Sequence, residues 1–305
     1  AERDRVLAYF SPVGLLVLLA MWLALAVIGY TFMFWALNVQ IPGLNPWEAA
    51  FTVSGSSLFT LGYATVETLP QKILSFTEAA IGPLLIALLI GYMPTIYGAF
   101  SKREALVNLL EIRAGSPPAA VVIISRYHRL RQLPDIHEMW VPWEAWFSEI
   151  EETHTSLAML NFLRSPVPEH SWVNAAGAVL DAAALVVSTV DIPWNVQGPL
   201  CIRAGYIALR RIADFFNIAY DPDPKPADPI SVTRAEFDFA CEQLLLEGVP
   251  LKPDRDQAWR DYAGWRVNYD AALLALARLT AAPPAPWTSP EMREQRRPPL
   301  TGRGS

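Results

Sequence analysis

The stretch SLFTLGYATVETLP, residues 57–70, lies between two long apolar runs, and its reading decides the fold. On its N-terminal side no charged residue occurs between Arg5 and Glu48, and Val13 to Leu37 is almost wholly apolar over 25 residues. As a helix, that run spans about 37 Å, enough to cross a hydrocarbon core with some tilt. On its C-terminal side, Ala79 to Phe100 carries no charge over 22 residues, and a helix of that length spans about 33 Å. The first run is too long for a signal-peptide core, and Asn38 to Pro46 after it is no small-residue cleavage site. Both runs therefore read as transmembrane helices.

Composition agrees with this. Hydrophobic residues make up 52% of the 305 and charged residues 18%, and the apolar excess is concentrated in the first hundred positions. The basic residues are asymmetric. Arg3 and Arg5 precede the first span, Lys102, Arg103 and Arg113 follow the second, and the connection holds only Lys72 against Glu48, Glu67 and Glu78. By the excess of Lys and Arg on the cytoplasmic side, both ends of the pair lie in the cytoplasm and the connection faces out, in a cell (inner) membrane. A net charge of −6 and the lack of a basic stripe argue against a nucleic-acid partner. Cys201 and Cys241 are too far apart and too few for a disulfide framework or a zinc site, and read as buried thiols.

The connection opens with GLNPWEAAFTVSGSSLF, residues 43–59. Asn45 suits an N-cap, Pro46 the first helical position and Glu48 the first turn, where the helix dipole favours a carboxylate. A helix from Pro46 to Leu58 is about 20 Å long, too short to cross. It reads as re-entrant, and non-helical backbone at membrane depth is tolerated only when buried in protein or lining a watery path. The alternative is a plain hairpin connection, which needs neither a capped helix nor thirteen mostly apolar residues.

Span, short helix, TLGYA and second span together resemble the pore module of tetrameric potassium channels, whose filter reads Thr-Val-Gly-Tyr-Gly-Asp. The resemblance covers about residues 12–103. It implies that backbone carbonyls of Thr60, Leu61, Gly62, Tyr63 and Ala64 replace the hydration shell of a permeant monovalent cation, K+ first among them. It also implies that the Thr60 hydroxyl faces an inner cavity, with no cofactor or bound metal. One loop cannot enclose a filter, so the partners are three further copies of the chain in a homotetramer, within a lipid bilayer.

The departures are specific. Ala64 stands where the family has its second glycine and Thr65 where it has aspartate, while Glu67 and Pro70 come two residues late. If Ala64 is left-handed it carries strain of about 1 kcal/mol per subunit; otherwise the outer end of the loop rearranges. A weakly selective or sodium-permeable channel is therefore the alternative within the class. Glu67 and Glu78 read as outer-mouth carboxylates that concentrate cations, Glu78 equally as a helix-start carboxylate. Gly82, Gly91 and Pro94 read as gating-hinge candidates in the second span, and the two glycines equally as close-packing positions.

Beyond the turn RAGSPP, residues 113–118, helical periodicity dominates. It predicts helices over 118–133, 142–163, 170–188, 199–218, 231–247 and 255–281, separated by proline-containing breaks. No arginine-rich helix or Gly-x-Gly-x-x-Gly turn after a strand marks a voltage sensor or nucleotide site, and the cytoplasmic ligand is unknown. Glu151 and His154 have a di-iron spacing, but only once, and read as surface residues. Trp140, Trp143, Trp146 and Phe147 read as core or a subunit contact rather than a ligand cage. No nucleophile–base constellation suggests an enzyme.

The expected architecture is an all-α membrane protein. A pore module over 1–105 has two transmembrane helices, a re-entrant helix and a filter loop. A linker over 106–117, an all-helical cytoplasmic domain over 118–282 and a disordered tail over 283–305 follow. The expected activity is cation conduction of the potassium-channel type. A non-conducting membrane scaffold or sensor that keeps the pore fold is the alternative outside that class.

Overall fold

The computed structural model describes residues 2–165, 167 and 169–283; the tail beyond, expected from composition, lies outside the described residues. Among these residues the elements are ten α-helices and two 3-10 helices, with no strand beyond one isolated bridge between Val190 and Leu251. The first three helices are α1 (Glu2–Ala36), α2 (Pro46–Leu58) and α3 (Leu69–Ala114). Three helices are long and apolar enough to cross a membrane: Leu16–Ala36, Leu69–Ala114 and Trp172–Thr189. Burial separates them. The most apolar windows of the first two are 6% and 11% buried, the third 94%. The first two thus present their apolar side chains outward, as helices compatible with a membrane location do, and the third keeps its own inside protein.

Tyr9–Gly98 forms one compact unit. Its small core joins Phe34, Val39, Ala50 and Val53, with Ala64 and Val66 from the connecting loop packed against them. The start of α2 is fixed reciprocally. Asn45 Oδ1 accepts the Glu48 N–H at 2.9 Å, and Glu48 Oε2 accepts the Asn45 N–H at 3.3 Å, so two otherwise orphaned amides are satisfied. Pro83 and Pro94 sit inside α3 without ending it.

The described residues from Ala99 onward form the second unit. The expected linker is helical as far as Ala114, because Val107, Leu110 and Ala114 are buried in this unit's core. The remaining helices are α4 (Ala120–Arg129), α5 (Trp140–Ser156), α6 (Trp172–Thr189), α7 (Gln197–Phe215), α8 (Arg234–Leu246), α9 (Arg255–Arg266) and α10 (Asp270–Leu279). Short 3-10 helices cover Leu133–Met139 and Ala158–Phe162. At the centre, α6 is apolar nearly all round and packs against α4, α7, α9 and α10. Glycines let neighbours close in: a Cβ on Gly205 would sit 2.4 Å from Leu180 Cδ2.

Two sequence boundaries change. The helix expected over 142–163 stops at Ser156, where the Asn161 side-chain amide donates to the His154 carbonyl at 2.8 Å and caps it. The helix expected over 255–281 breaks at Val267–Tyr269 into α9 and α10. There the Asn268 side chain donates to the Gly264 carbonyl at 2.9 Å, and Arg210 Nε takes the Asn268 carbonyl at 2.8 Å. Such side-chain bonds compete with the helical ladder. The second half is then anchored by a buried cluster in which Arg266 pairs with Asp181 and with Asp270 (2.7 Å), and Tyr269 donates to Asp181 at 2.8 Å.

Candidate functional site

The candidate site is the loop that follows α2, and it is held by a ladder of polar contacts between α2 and α3. Ser54 Oγ lies 2.6 Å from Glu78 Oε1 and Ser57 Oγ 2.7 Å from Ser75 Oγ. Past these rungs, a Cβ on Gly82 would lie 1.9 Å from the Leu58 carbonyl oxygen. Residues 54, 57 and 58 share one face of α2, and 75, 78 and 82 one face of α3, so the end of α2 rests on bare α3 backbone. Gly82 is therefore a close-packing position.

The helix ends in a left-handed turn. The Thr60 N–H donates to the Ser57 carbonyl at 3.0 Å and the Leu61 N–H to the Ser56 carbonyl at 2.8 Å, the paired bonds of a Schellman cap. The left-handed position belongs to Thr60, at φ 53°. Glycine normally takes it, and a β-branched residue there is an outlier that stores strain. The Thr60 hydroxyl donates to the Phe59 carbonyl at 2.8 Å.

Handedness then alternates. Gly62 has φ 74°, while Leu61, Tyr63 and Ala64 are absent from the positive-φ residues. The strain considered at Ala64 is therefore not there: its backbone is ordinary, and the strained residue is Thr60. Ala64 is half-buried; its N–H donates to Ser56 Oγ at 3.3 Å and its methyl packs on the Phe34–Val53 core. Phe59, Leu61 and Tyr63 are exposed, Tyr63 at 66%. Gln71 is buried behind the loop, where its Oε1 accepts the N–H groups of Glu67 and Thr68 and its Nε2 donates to the Leu37 carbonyl at 3.0 Å. An open hollow of about 660 Å³ lies over this end, lined by Asn38, Gln40, Tyr63, Thr65 and Glu67 among others.

Glu67 is exposed at that hollow. Glu78 is not: it is 0% exposed, against Ser54. Buried against Ser54 of α2, it cannot attract ions from solution in this chain. A Cβ on Gly91 would meet nothing within 4 Å, so close packing does not explain this glycine within one chain. Pro94 follows three residues later inside the unbroken helix.

In the second unit the structure separates Glu151 from His154. Glu151 pairs with Arg211, and His154 is buried, its Nε2 3.1 Å from Arg103. Arg103 itself is buried and spends its donors on the carbonyls of Leu160 and Leu163, both at 2.7 Å, and on Glu104. Burial first, and then the Arg103 charge, hold the His154 imidazole well below its ordinary range, so it is neutral. No cluster of three or more metal-ligating side chains occurs among the described residues. Trp140, Trp143, Trp146 and Phe147 are core residues, with the Trp143 and Trp146 rings 4.8 Å apart edge to face. Cys201 and Cys241 are buried free thiols.

No family model matches the chain, and no curated protein or solved structure is similar to it.

Sequence reasoning missed the Ser54–Glu78 and Ser56–Ala64 contacts. A signal was present: Ser54 and Ser57 on one apolar helix match Ser75 and Glu78 on the next at the same three-residue spacing.

Proposed function

We propose that four copies of this chain enclose a cation-conducting pore in a cell membrane, each contributing Thr60–Ala64 to the ion path. The observation that carries this reading is the alternating hand of Thr60, Leu61, Gly62 and Tyr63 at the end of a capped helix. Alternation turns successive carbonyls to one side, and a row of carbonyls on one side replaces water around an ion. A single row leaves the ion half-solvated, so identical rows must close around an axis. The exposed Leu61 and Tyr63 side chains are surface that such packing would cover. The negative end of α2 lies beside the loop and favours a cation. The basic residues flanking the apolar runs support placing both ends of the module in the cytoplasm.

A specific observation favours weak selectivity over strict potassium selectivity. Alternation stops at Ala64, whose φ is not positive, and Thr65 replaces the family's acid. The outermost carbonyl ring of a potassium filter then lacks its backbone. Flux of K+ and Na+ through liposomes holding the purified full-length chain tests both statements. The expected outcome is cation flux with K+ ahead of Na+ by less than tenfold. Strict exclusion of Na+ would overturn the weak-selectivity reading. No flux from intact, inserted protein would overturn the pore and leave the non-conducting scaffold or sensor.

A further inference from the structure

Glu78 is the one described acid of Tyr9–Gly98 that is fully buried, and its surroundings count protons. Its Oε1 is 2.6 Å from Ser54 Oγ, Ser54 Oγ is 3.1 Å from the Val27 carbonyl oxygen, and its Oε2 has no partner. A serine hydroxyl holds one proton. If Glu78 were a carboxylate, that proton would have to serve either Oε1 or Val27, leaving two oxygens facing each other without a hydrogen, and Oε2 would be a bare buried charge. Among the described residues no counter-charge is at hand. Lys72, the only basic residue in this unit's sequence, is exposed and makes no ion pair with Glu78. On α1 the facing titratable group is Tyr30, which donates to Thr77 at 3.2 Å; on α2 it is Glu48, tied to Asn45 at the far end. An isolated carboxylate in apolar surroundings takes up a proton rather than stay charged.

We infer that Glu78 is a proton-binding site: its carboxyl holds a proton at neutral pH and donates it to Ser54, whose own proton goes to the Val27 carbonyl. The relay ties α3 to α2 and α2 to α1, and it needs no pore to operate. Ser54 lies two residues before Ser56, which holds the Ala64 amide, so the site braces the element that carries the loop. Loss of the proton at alkaline pH places an uncompensated charge among three helices and loosens that brace.

Infrared spectroscopy of the full-length protein in lipid vesicles tests this. The parent-minus-Glu78→Gln difference spectrum should show a protonated carboxyl C=O band at neutral pH. Ser54→Ala should shift that band by removing its acceptor. A carboxylate band at neutral pH, or a C=O band indifferent to Ser54→Ala, would overturn the assignment. Should Glu78→Gln not fold, the parent-minus-Ser54→Ala difference spectrum at neutral pH gives the same reading: a paired C=O feature if Glu78 is protonated, and its absence overturns the proposal.

Discussion

Thr60 carries the kind of strain that the sequence allowed at Ala64 as one of two outcomes. A β-branched residue at φ 53° sits about 1 kcal/mol or more above its preferred backbone, and such outliers are kept where the surrounding structure or the function requires them. Thr60→Gly should raise stability by about 1 kcal/mol, read as a higher thermal midpoint, and in the pore reading it should lower the preference for K+ by deleting four hydroxyls. A variant that is more stable and equally selective would mean that the Thr60 hydroxyl does not face the ion. Ala64→Gly has the opposite logic. At ordinary φ, glycine only frees the chain and should lower stability by about 0.5 kcal/mol, leaving K+ preference flat or lower. A gain in K+ preference would show that the assembled pore demands left-handed backbone at Ala64 after all.

Among helices, α3 shows how two glycines with the same sequence appearance do different things. Gly82→Ala drives a methyl into the Leu58 carbonyl, 1.9 Å away. The contact is backbone against backbone, with no side chain to move aside. The expected cost is about 3 kcal/mol, visible as a sharp fall in thermal midpoint or in yield of folded protein. Gly91→Ala enters open space and removes the flexibility glycine gives a helix, a stabilisation of about 1 kcal/mol. If the proposed pore reading holds, it should alter open probability in single-channel recordings while relative permeability stays unchanged. Equal effects of both substitutions on stability would contradict the distinction.

For the whole molecule, the pore reading requires fourfold assembly, so native mass measurement in mild detergent should give four times the chain mass; a monomer or dimer with intact chains counts decisively against it. Much of the fold was legible because its signals are local. Uncharged runs of 25 and 22 residues announce the two outward-facing apolar helices, and Asn-Pro-Trp-Glu announces the start of α2 through its own cap. What was illegible depends on partners distant in sequence. Arg103, counted from sequence among the charges that set orientation, is buried on the carbonyls of Leu160 and Leu163. Glu78 reads as a mouth carboxylate until Ser54 is known to stand in front of it. Ala64 keeps the backbone hand ordinary for an L-residue, and its methyl joins a core whose other members are distant in sequence.

The buried Asp181 has a consequence for how the chain is made. Helix α6 is 18 residues with a mean hydropathy of 1.4, and it leaves the ribosome well before Arg266, the cation that later pairs with Asp181. During that interval the cation that faces the carboxylate in the finished core has not yet been made. Asp181 is the only charged residue of α6 and lies near its middle, where an aspartate costs about 3 kcal/mol on insertion into a bilayer. The same side chain that anchors the finished core thus penalises insertion of α6 as a further span. With both ends of the pore module in the cytoplasm, as proposed, Asp181→Leu should convert α6 into an inserted segment and carry everything after Thr189 across the membrane. A glycosylation acceptor placed in the exposed loop around Asp221 would report this, staying unmodified in the parent and becoming modified in the variant.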